Sequence, residues 1–321
     1  MKTQTFKKAK LLCLSIIFSG LLLLGACSKS NTDPNPGVSD QDGKIQIVAT
    51  TTMLADLSRI IGGDFVEVEG LMGPGIDPHL YQASAGDVTA LQKADIVVYN
   101  GLHLEGKMGT IFESLTEMDK KIIRAEDALD RNDLLSDEED PIYFDPHIWF
   151  DVSLWKDVTK HFAEKMAEYD PDNASTYSSN AEKYLEELDE AETYIKNRIG
   201  ELSEESRVLV TAHDAFQYFA HAYGFEVRGL QGISTDAEAG TADVRELADF
   251  IIERKIKAIF IESSVPHKNV EALQAAVQAR GFDVEIGGEL YSDSLGDQAS
   301  GHDSYIETIK ANVDTIVDAL K

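Results

Sequence analysis

Residues 173–202 read NASTYSSNAEKYLEELDEAETYIKNRIGEL. Within them Tyr177, Ala181, Tyr184, Leu185, Leu188, Ala191, Ile195, Ile199 and Leu202 recur mostly at intervals of three and four. That spacing marks one apolar face of a helix, and Pro171 and Asp172 suit its start. Thirty residues at ~1.5 Å rise make a rod of roughly 45 Å. An ordinary amphipathic helix lying on one lobe would show the same face. The length of this one, and its place between two sets of strand-like runs, favour a single backbone helix joining two lobes.

The first set of runs covers 45–50, 65–71, 96–99 and 122–124, and the second 208–211, 226–230, 258–262 and 284–286. Helical patterns at 52–61, 85–94, 153–169, 216–223, 242–254 and 269–280 lie between them. Alternation of this kind predicts an α/β chain with parallel sheets. The expected architecture is two lobes, each a mainly parallel four-stranded sheet flanked by helices, joined by one long helix. The expected boundaries are an N-terminal lobe over 44–172, the linking helix over 173–202 and a C-terminal lobe over 203–321. About 280 residues suffice for two domains of ordinary size.

Further towards the N-terminus the composition changes. Lys2, Lys7, Lys8 and Lys10 form a basic head, and residues 11–24 are almost wholly apolar. This run is short of the ~20 residues that span a bilayer comfortably. A basic head, a short apolar core and small residues before a cut describe a secretory signal over 1–26. Leu24-Gly25-Ala26-Cys27 resembles the lipobox of bacterial lipoproteins, which implies cleavage before Cys27 and a lipid on it. Residues 27–43, rich in Ser, Asn, Asp, Pro and Gly, are expected to act as a flexible tether. The expected location is extracytoplasmic, anchored by lipid to the outer face of the cell membrane or held in the periplasm.

The chain has two cysteines, Cys13 and Cys27, so the folded part has no thiol for a disulfide, a nucleophile or a metal ligand. Removing the signal removes four Lys and no acid, leaving 25 basic residues against 57 acidic ones, a net charge of −32. Nucleic acid is excluded as a partner, because its phosphates repel such a chain. An acidic surface attracts cations, but that describes a field and not a site.

Eight histidines are present, and local context separates them. His79 lies in Gly75-Ile76-Asp77-Pro78-His79 after the second strand, and His147 in Phe144-Asp145-Pro146-His147-Ile148-Trp149 after the fourth. Proline stiffens both Asp-Pro-His turns and so presents the imidazole rigidly. His213, in Val210-Thr211-Ala212-His213-Asp214, follows the fifth strand, and Asp293, in Leu290-Tyr291-Ser292-Asp293-Ser294, the eighth. All four lie beyond the carboxyl ends of strands, the edge where open α/β sheets bind ligands. Three imidazoles and one carboxylate suit zinc or manganese better than copper(I), which prefers sulfur, or calcium, which takes many oxygens. Asp145, Asp214 and Glu262 are candidates to brace the ligand rings. His103 is expected to shape a loop near the cleft. His161 and His221 fall in helical patterns, and His267 and His302 in polar loops. Trp149 and Phe216 are expected as packing on the cleft wall.

The ligands are too dispersed for spacing alone to decide. The chain, however, resembles the metal-binding solute-binding proteins of ABC importers, specifically the TroA-like members. The stretches that carry the resemblance are Asp77-Pro78-His79-Leu80-Tyr81, Tyr99-Asn100-Gly101-Leu102-His103-Leu104-Glu105 and Asp145-Pro146-His147-Ile148-Trp149 in the first half. In the second half they are Thr211-Ala212-His213-Asp214-Ala215-Phe216, Phe260-Ile261-Glu262-Ser263-Ser264-Val265 and Gly287-Gly288-Glu289-Leu290-Tyr291-Ser292-Asp293. The resemblance implies metal ligands at His79, His147, His213 and Asp293, and one Zn2+ or Mn2+ per chain as transported cargo. It also implies an ABC permease and its ATPase as partners of a monomeric protein that is not an enzyme.

Three positions bear on the choice of metal. Gln82 stands where many relatives carry Glu. Ser136-Asp137-Glu138-Glu139-Asp140 replaces the histidine-rich loop of zinc-dedicated relatives and is expected to be a solvated charge run. Members with manganese-typical sites often have Glu where His213 stands. The alternative functions are a zinc-dependent metallohydrolase of the cell envelope, a siderophore or haem binder, and a surface adhesin as a secondary role. A hydrolytic zinc keeps an open water position, which four protein ligands would fill. Nothing in the sequence suggests the basic cleft that an anionic chelate would want.

Overall fold

A run of four short apolar segments builds the first sheet, and the computed structural model describes it within residues 43–136 and 143–321. The segment read as a signal, Cys27, nearly all of the expected tether and most of the acidic run 136–140 lie outside the described residues. Strands β1 (Ile45–Ala49), β2 (Val66–Gly70), β3 (Ile96–Tyr99) and β4 (Lys121–Arg124) pair in the order β2-β1-β3-β4, parallel throughout. The central β1 and β3 are apolar runs covered on both faces, as parallel strands require. The edge strands β2 and β4 carry the charged residues, Glu67, Glu69, Lys121 and Arg124.

The second lobe holds β5 (Val208–His213), β6 (Glu226–Gln231), β7 (Ala258–Glu262) and β8 (Glu285–Leu290). Here the expected four strands form two parallel ladders, β5–β6 and β7–β8, with β5 alongside β7. At the carboxyl end of that seam the N–H of His213 donates to the side chain of Glu262, at 2.9 Å. The β7–β8 register shifts between Ile259 and Phe260. Gly287 is needed there, because a Cβ on it would lie 2.7 Å from Ala319 and 2.9 Å from Phe260.

Nine helices lie among the described residues: α1 (Thr52–Gly62), α2 (Ala85–Lys93), α3 (Gly109–Glu117), α4 (Val152–Tyr169), α5 (Ala174–Ile199), α6 (Gln217–Tyr223), α7 (Thr241–Arg254), α8 (Lys268–Gln278) and α9 (Tyr305–Leu320). The long helix is α5. It follows a 3-10 turn at Pro171–Asn173 and stops before Gly200, giving 26 residues, or about 39 Å. Tyr177, Ala181, Tyr184, Leu188, Ala191, Ile195 and Ile199 are its buried face, set against α1, α4 and α9. Two helices, α3 and α9, were not expected from the sequence. Helix α9 buries Ile309, Val313, Ile316, Val317 and Leu320 and lies on β8 as well as on α5.

Three apolar clusters result. One fills the far face of the first sheet under α2 and α3, and another lies between the second lobe's strands and α7 and α8. The third runs unbroken from Ile47 and Leu54, through Trp155, Tyr184 and Leu188, to Phe216, Phe260 and Val313. It belongs to both halves of the chain. Polar ties cross at the same level: Asp56 of α1 accepts from the N–H of Tyr305 at the start of α9, at 2.9 Å, and the Tyr305 hydroxyl donates to the Trp149 carbonyl, at 2.7 Å.

Candidate metal centre

The two Asp-Pro-His tripeptides fold alike. The N–H of His79 donates to Asp77 Oδ1 at 2.8 Å, and the N–H of His147 to Asp145 Oδ1 at 2.9 Å. Each aspartate closes a turn on the residue two positions on, with proline fixing the step between. His213 is the last residue of β5, and Asp293 lies three residues beyond β8. His213 at the end of β5 and Asp293 beyond β8 thus meet His79, on the loop after β2, and His147, on the longer segment after β4, each offering one donor atom within 4.8 Å of the others. All four are buried, at 4, 0, 0 and 2 % exposure respectively.

Three imidazole nitrogens and one carboxylate oxygen face one point. His147 Nε2 lies 3.3 Å from His79 Nε2 and 3.4 Å from His213 Nε2. Asp293 Oδ1 lies 3.4 Å from both His147 Nε2 and His213 Nε2 and accepts no hydrogen bond. A tetrahedron with ~2.0–2.1 Å from centre to nitrogen or oxygen has edges of roughly 3.3–3.4 Å. Four of the six edges have that length, while His79 stands farther from Asp293, so the donor set approaches the shell of a zinc-sized ion without closing on it fully.

The tautomers are set from behind. His147 Nδ1–H donates to Asp145 Oδ1 at 2.7 Å, and His213 Nδ1–H to Glu262 Oε2 at 2.5 Å. Each bond leaves the Nε2 lone pair aimed at the centre, the arrangement that orients and strengthens a metal-binding imidazole. Asp214 does not join them; its carboxylate accepts from Gln217 Nε2 at 2.8 and 3.0 Å. Asp77 serves the backbone of His79 and also accepts from the Thr235 hydroxyl across the cleft, at 2.6 Å.

Charge within the site is lopsided. Burial pushes His79 down to about 3, with the neighbouring imidazoles adding to the effect and Asp293 opposing it. Burial would depress His147 too, but Asp145 and Asp293 outweigh it and hold the ring at about 9. His213 behaves likewise, raised well above its ordinary value once Glu262 and Asp293 overcome its burial. Burial alone would raise Asp293, yet His213 and His147 hold it well below the usual carboxylate range. Buried carboxylates around neutral rings call for compensating positive charge. Protons supply it in the metal-free protein, and a divalent cation can replace them.

The remaining sequence candidates fall elsewhere. His161 lies in α4 and His221 in α6, while His267 pairs with Glu289 at 3.0 Å and His302 meets the Tyr291 hydroxyl at 3.2 Å. His103 is exposed, in a left-handed turn with Leu102 (φ of 63° and 52°). Trp149 stands edge-on to His147, centroids 5.3 Å apart, and its Nε1–H donates across the cleft to the Ser292 carbonyl at 3.0 Å. Phe216 packs on Phe150. Sequence reading missed Ser264, whose hydroxyl donates to Asp293 Oδ2 at 3.0 Å. Its only signal was a short polar side chain just past the end of β7.

Comparison with known proteins places this geometry in context. Residues 47–319 match the family model described as zinc-uptake complex component A, periplasmic (ZnuA). The chain is 49% identical over 279 residues to the zinc-binding protein TroA of Treponema pallidum (strain Nichols), covering 87% of this chain and 90% of that protein. It is 41% identical over 307 residues to the manganese-binding lipoprotein MntA of Bacillus subtilis (strain 168), covering 96% and 98%. The solved structure of the periplasmic zinc-binding protein TroA from Treponema pallidum superposes with a TM-score of 0.84, over 87% of this chain and 99% of that one.

Proposed function

We propose, for a chain that belongs to the ZnuA family of periplasmic zinc-uptake components, that it captures one zinc or manganese ion outside the cytoplasm and delivers it to an ABC importer. The observation that carries this reading is the convergence of three Nε2 atoms and the unbonded Asp293 Oδ1 in a fully buried centre. In this reading His79, His147, His213 and Asp293 are the metal ligands, and Asp145 and Glu262 fix the rings of His147 and His213. The lobes correspond to 44–172 and 203–321, with 173–202 as the link. Cys27 carries the lipid that holds the protein at the membrane, and a monomer meets the permease and its ATPase. The relatives with assigned roles are metal-binding transport proteins, and none lends support to a hydrolase.

The test is metal analysis of the purified protein and of four single alanine variants at the proposed ligands. One ion per chain is expected in the wild type. Each variant is expected to lose more affinity than the ~10–100-fold typical of a supporting residue. Full metal content and affinity in His147→Ala would overturn the assignment.

A further inference from the structure

The stretch Tyr99-Asn100-Gly101-Leu102-His103-Leu104-Glu105 supplies no metal ligand, yet it holds a buried carboxylate of its own. Glu105 Oε1 accepts from the Thr50 hydroxyl at 2.7 Å and from the N–H of Asn100 at 2.8 Å, and Oε2 accepts from the N–H of Gly101 at 3.2 Å. Thr50 directly follows β1 and Asn100 directly follows β3, so one side chain ties the ends of the two central strands. All three donors are neutral, and burial pushes Glu105 above the usual carboxylate range against their pull. Burying a carboxylate is costly unless hydrogen bonds compensate, and here each of those bonds fixes a group at a strand end.

Asn100 carries the link onward. It is buried, and its Nδ2 donates to the Pro146 carbonyl at 3.0 Å and to the Gly101 carbonyl at 3.2 Å. Carbonyl oxygens only accept, so the NH2 end of the amide must face them. Pro146 is the residue before His147, and its carbonyl also accepts from the N–H of Ile148 at 2.9 Å, which closes the turn. Asp145 lies within that turn and shapes it from inside. Asn100 ties the same turn to the end of a central strand. The two lobes therefore reach one end by routes of different length. In the second lobe Glu262 grips His213 itself; in the first, Glu105 grips Asn100, and Asn100 grips the residue before His147.

We infer that Asn100 is a positioning residue for metal capture: held by Glu105, it fixes the peptide before His147 to the end of β3, and so sets where the His147 ring meets the ion. The inference rests on the metal-capture reading above. It deepens that reading by giving a task to two buried residues that are not metal ligands.

The test combines zinc titration by calorimetry with proton NMR of the zinc-loaded chain. The ring Nδ1–H of His147, held by Asp145, and that of His213, held by Glu262, should give separate downfield signals, assigned through Asp145→Asn and Glu262→Gln. Asn100→Ala is expected to keep one ion per chain and to weaken zinc binding about tenfold, the lower end of the effect of a supporting partner. It should shift the His147 signal and leave that of His213 in place. Glu105→Gln keeps the side chain's size but turns an NH2 towards the N–H of Gly101, and is expected to move the same readouts the same way by less. Either variant decides the matter should the other fail to fold. Unchanged affinity, a His147 signal that stays in place, or equal shifts of both ring signals in the folded variant overturns the inference. A wild type that binds no zinc overturns the metal-capture reading, and the inference with it.

Discussion

Glu262 accepts both the backbone N–H of His213, at 2.9 Å, and the ring Nδ1–H of the same residue, at 2.5 Å. One carboxylate on β7 therefore fixes the end of β5 and the tautomer of the ring mounted on it. Glu262→Gln can satisfy the backbone N–H but then turns an amide NH2 towards Nδ1, which favours the tautomer with its hydrogen on Nε2. Affinity is expected to fall about 10–100-fold, the usual effect of losing such a partner, with stoichiometry kept at one. Calorimetry on the variant checks it, and an unchanged dissociation constant would show that Glu262 is a packing residue only.

Zinc is expected to bind more tightly than manganese in vitro. A site with three nitrogens follows the usual divalent order, in which zinc lies well above manganese, and four of its six donor spacings, at 3.3–3.4 Å, suit a zinc-sized ion. Equilibrium dialysis with both ions at equal concentration measures it. Displacement of bound zinc by equimolar manganese would count decisively against this ordering.

Proton competition has a definite sign. His147 is held at about 9 and His213 is also raised, so both rings bind protons more tightly folded than unfolded. Their contribution to the stability of the metal-free protein is full below ~6.5, the unfolded value, and is lost as pH rises towards 9. His79, lowered to about 3, acts only at more acidic pH and in the opposite sense. Thermal melts of metal-free protein are expected to fall between pH 7 and 9, and those of zinc-loaded protein to change less. Over the same range metal affinity should rise, by about tenfold per pH unit for each proton displaced. Metal affinity that stays level from pH 5 to 9 would mean that imidazoles do not hold the ion.

Metal loading is expected to change the overall shape little. Helix α5 contains no proline or glycine between Ala174 and Ile199, and sharp bends in helices arise at such residues or at bulges. The shared core beneath it also resists separation of the halves. Small-angle scattering of metal-free and loaded protein should give nearly equal radii of gyration, near the ~19 Å of a compact chain of this size. A fall of several ångströms on loading would show that the helix does not act as a stiff strut.

Much of this was legible in the sequence because the physics is local. The runs at β1, β3 and β5 are too apolar to be anything but covered strands, and the period of α5 names its buried face. His213 and Asp293 were identifiable as polar residues at or just past strand ends, while His79 and His147, farther from β2 and β4, were marked instead by the repeated Asp-Pro-His turn. What escaped depended on tertiary placement. No spacing shows that the end of β7 lies beside the end of β5, so which ring Glu262 would brace, and that Asp214 would brace none, emerged only when the lobe was assembled. The contact of Ser264 with Asp293 was hidden for the same reason. Helix α9 was written in the period of Ile309, Val313, Ile316 and Leu320, yet its close seat on β8, where Gly287 leaves room for Ala319, appears only in the assembled lobe.

The unbroken apolar cluster has a consequence for how the protein comes apart. Leu188 and Ile195 on α5 are buried in the same interior as Phe216 and Val313, which follow it in the chain. A fragment cut after Leu202 would leave that interior open to water and is expected to aggregate rather than fold. Heat or urea should melt the chain in one step, with loss of helix and of tryptophan burial coinciding. Leu188→Ala should lower the stability of that single step by ~2–5 kcal/mol rather than loosen one half. Two lobes that look like separate pieces are then expected, for folding, to behave as one indivisible body.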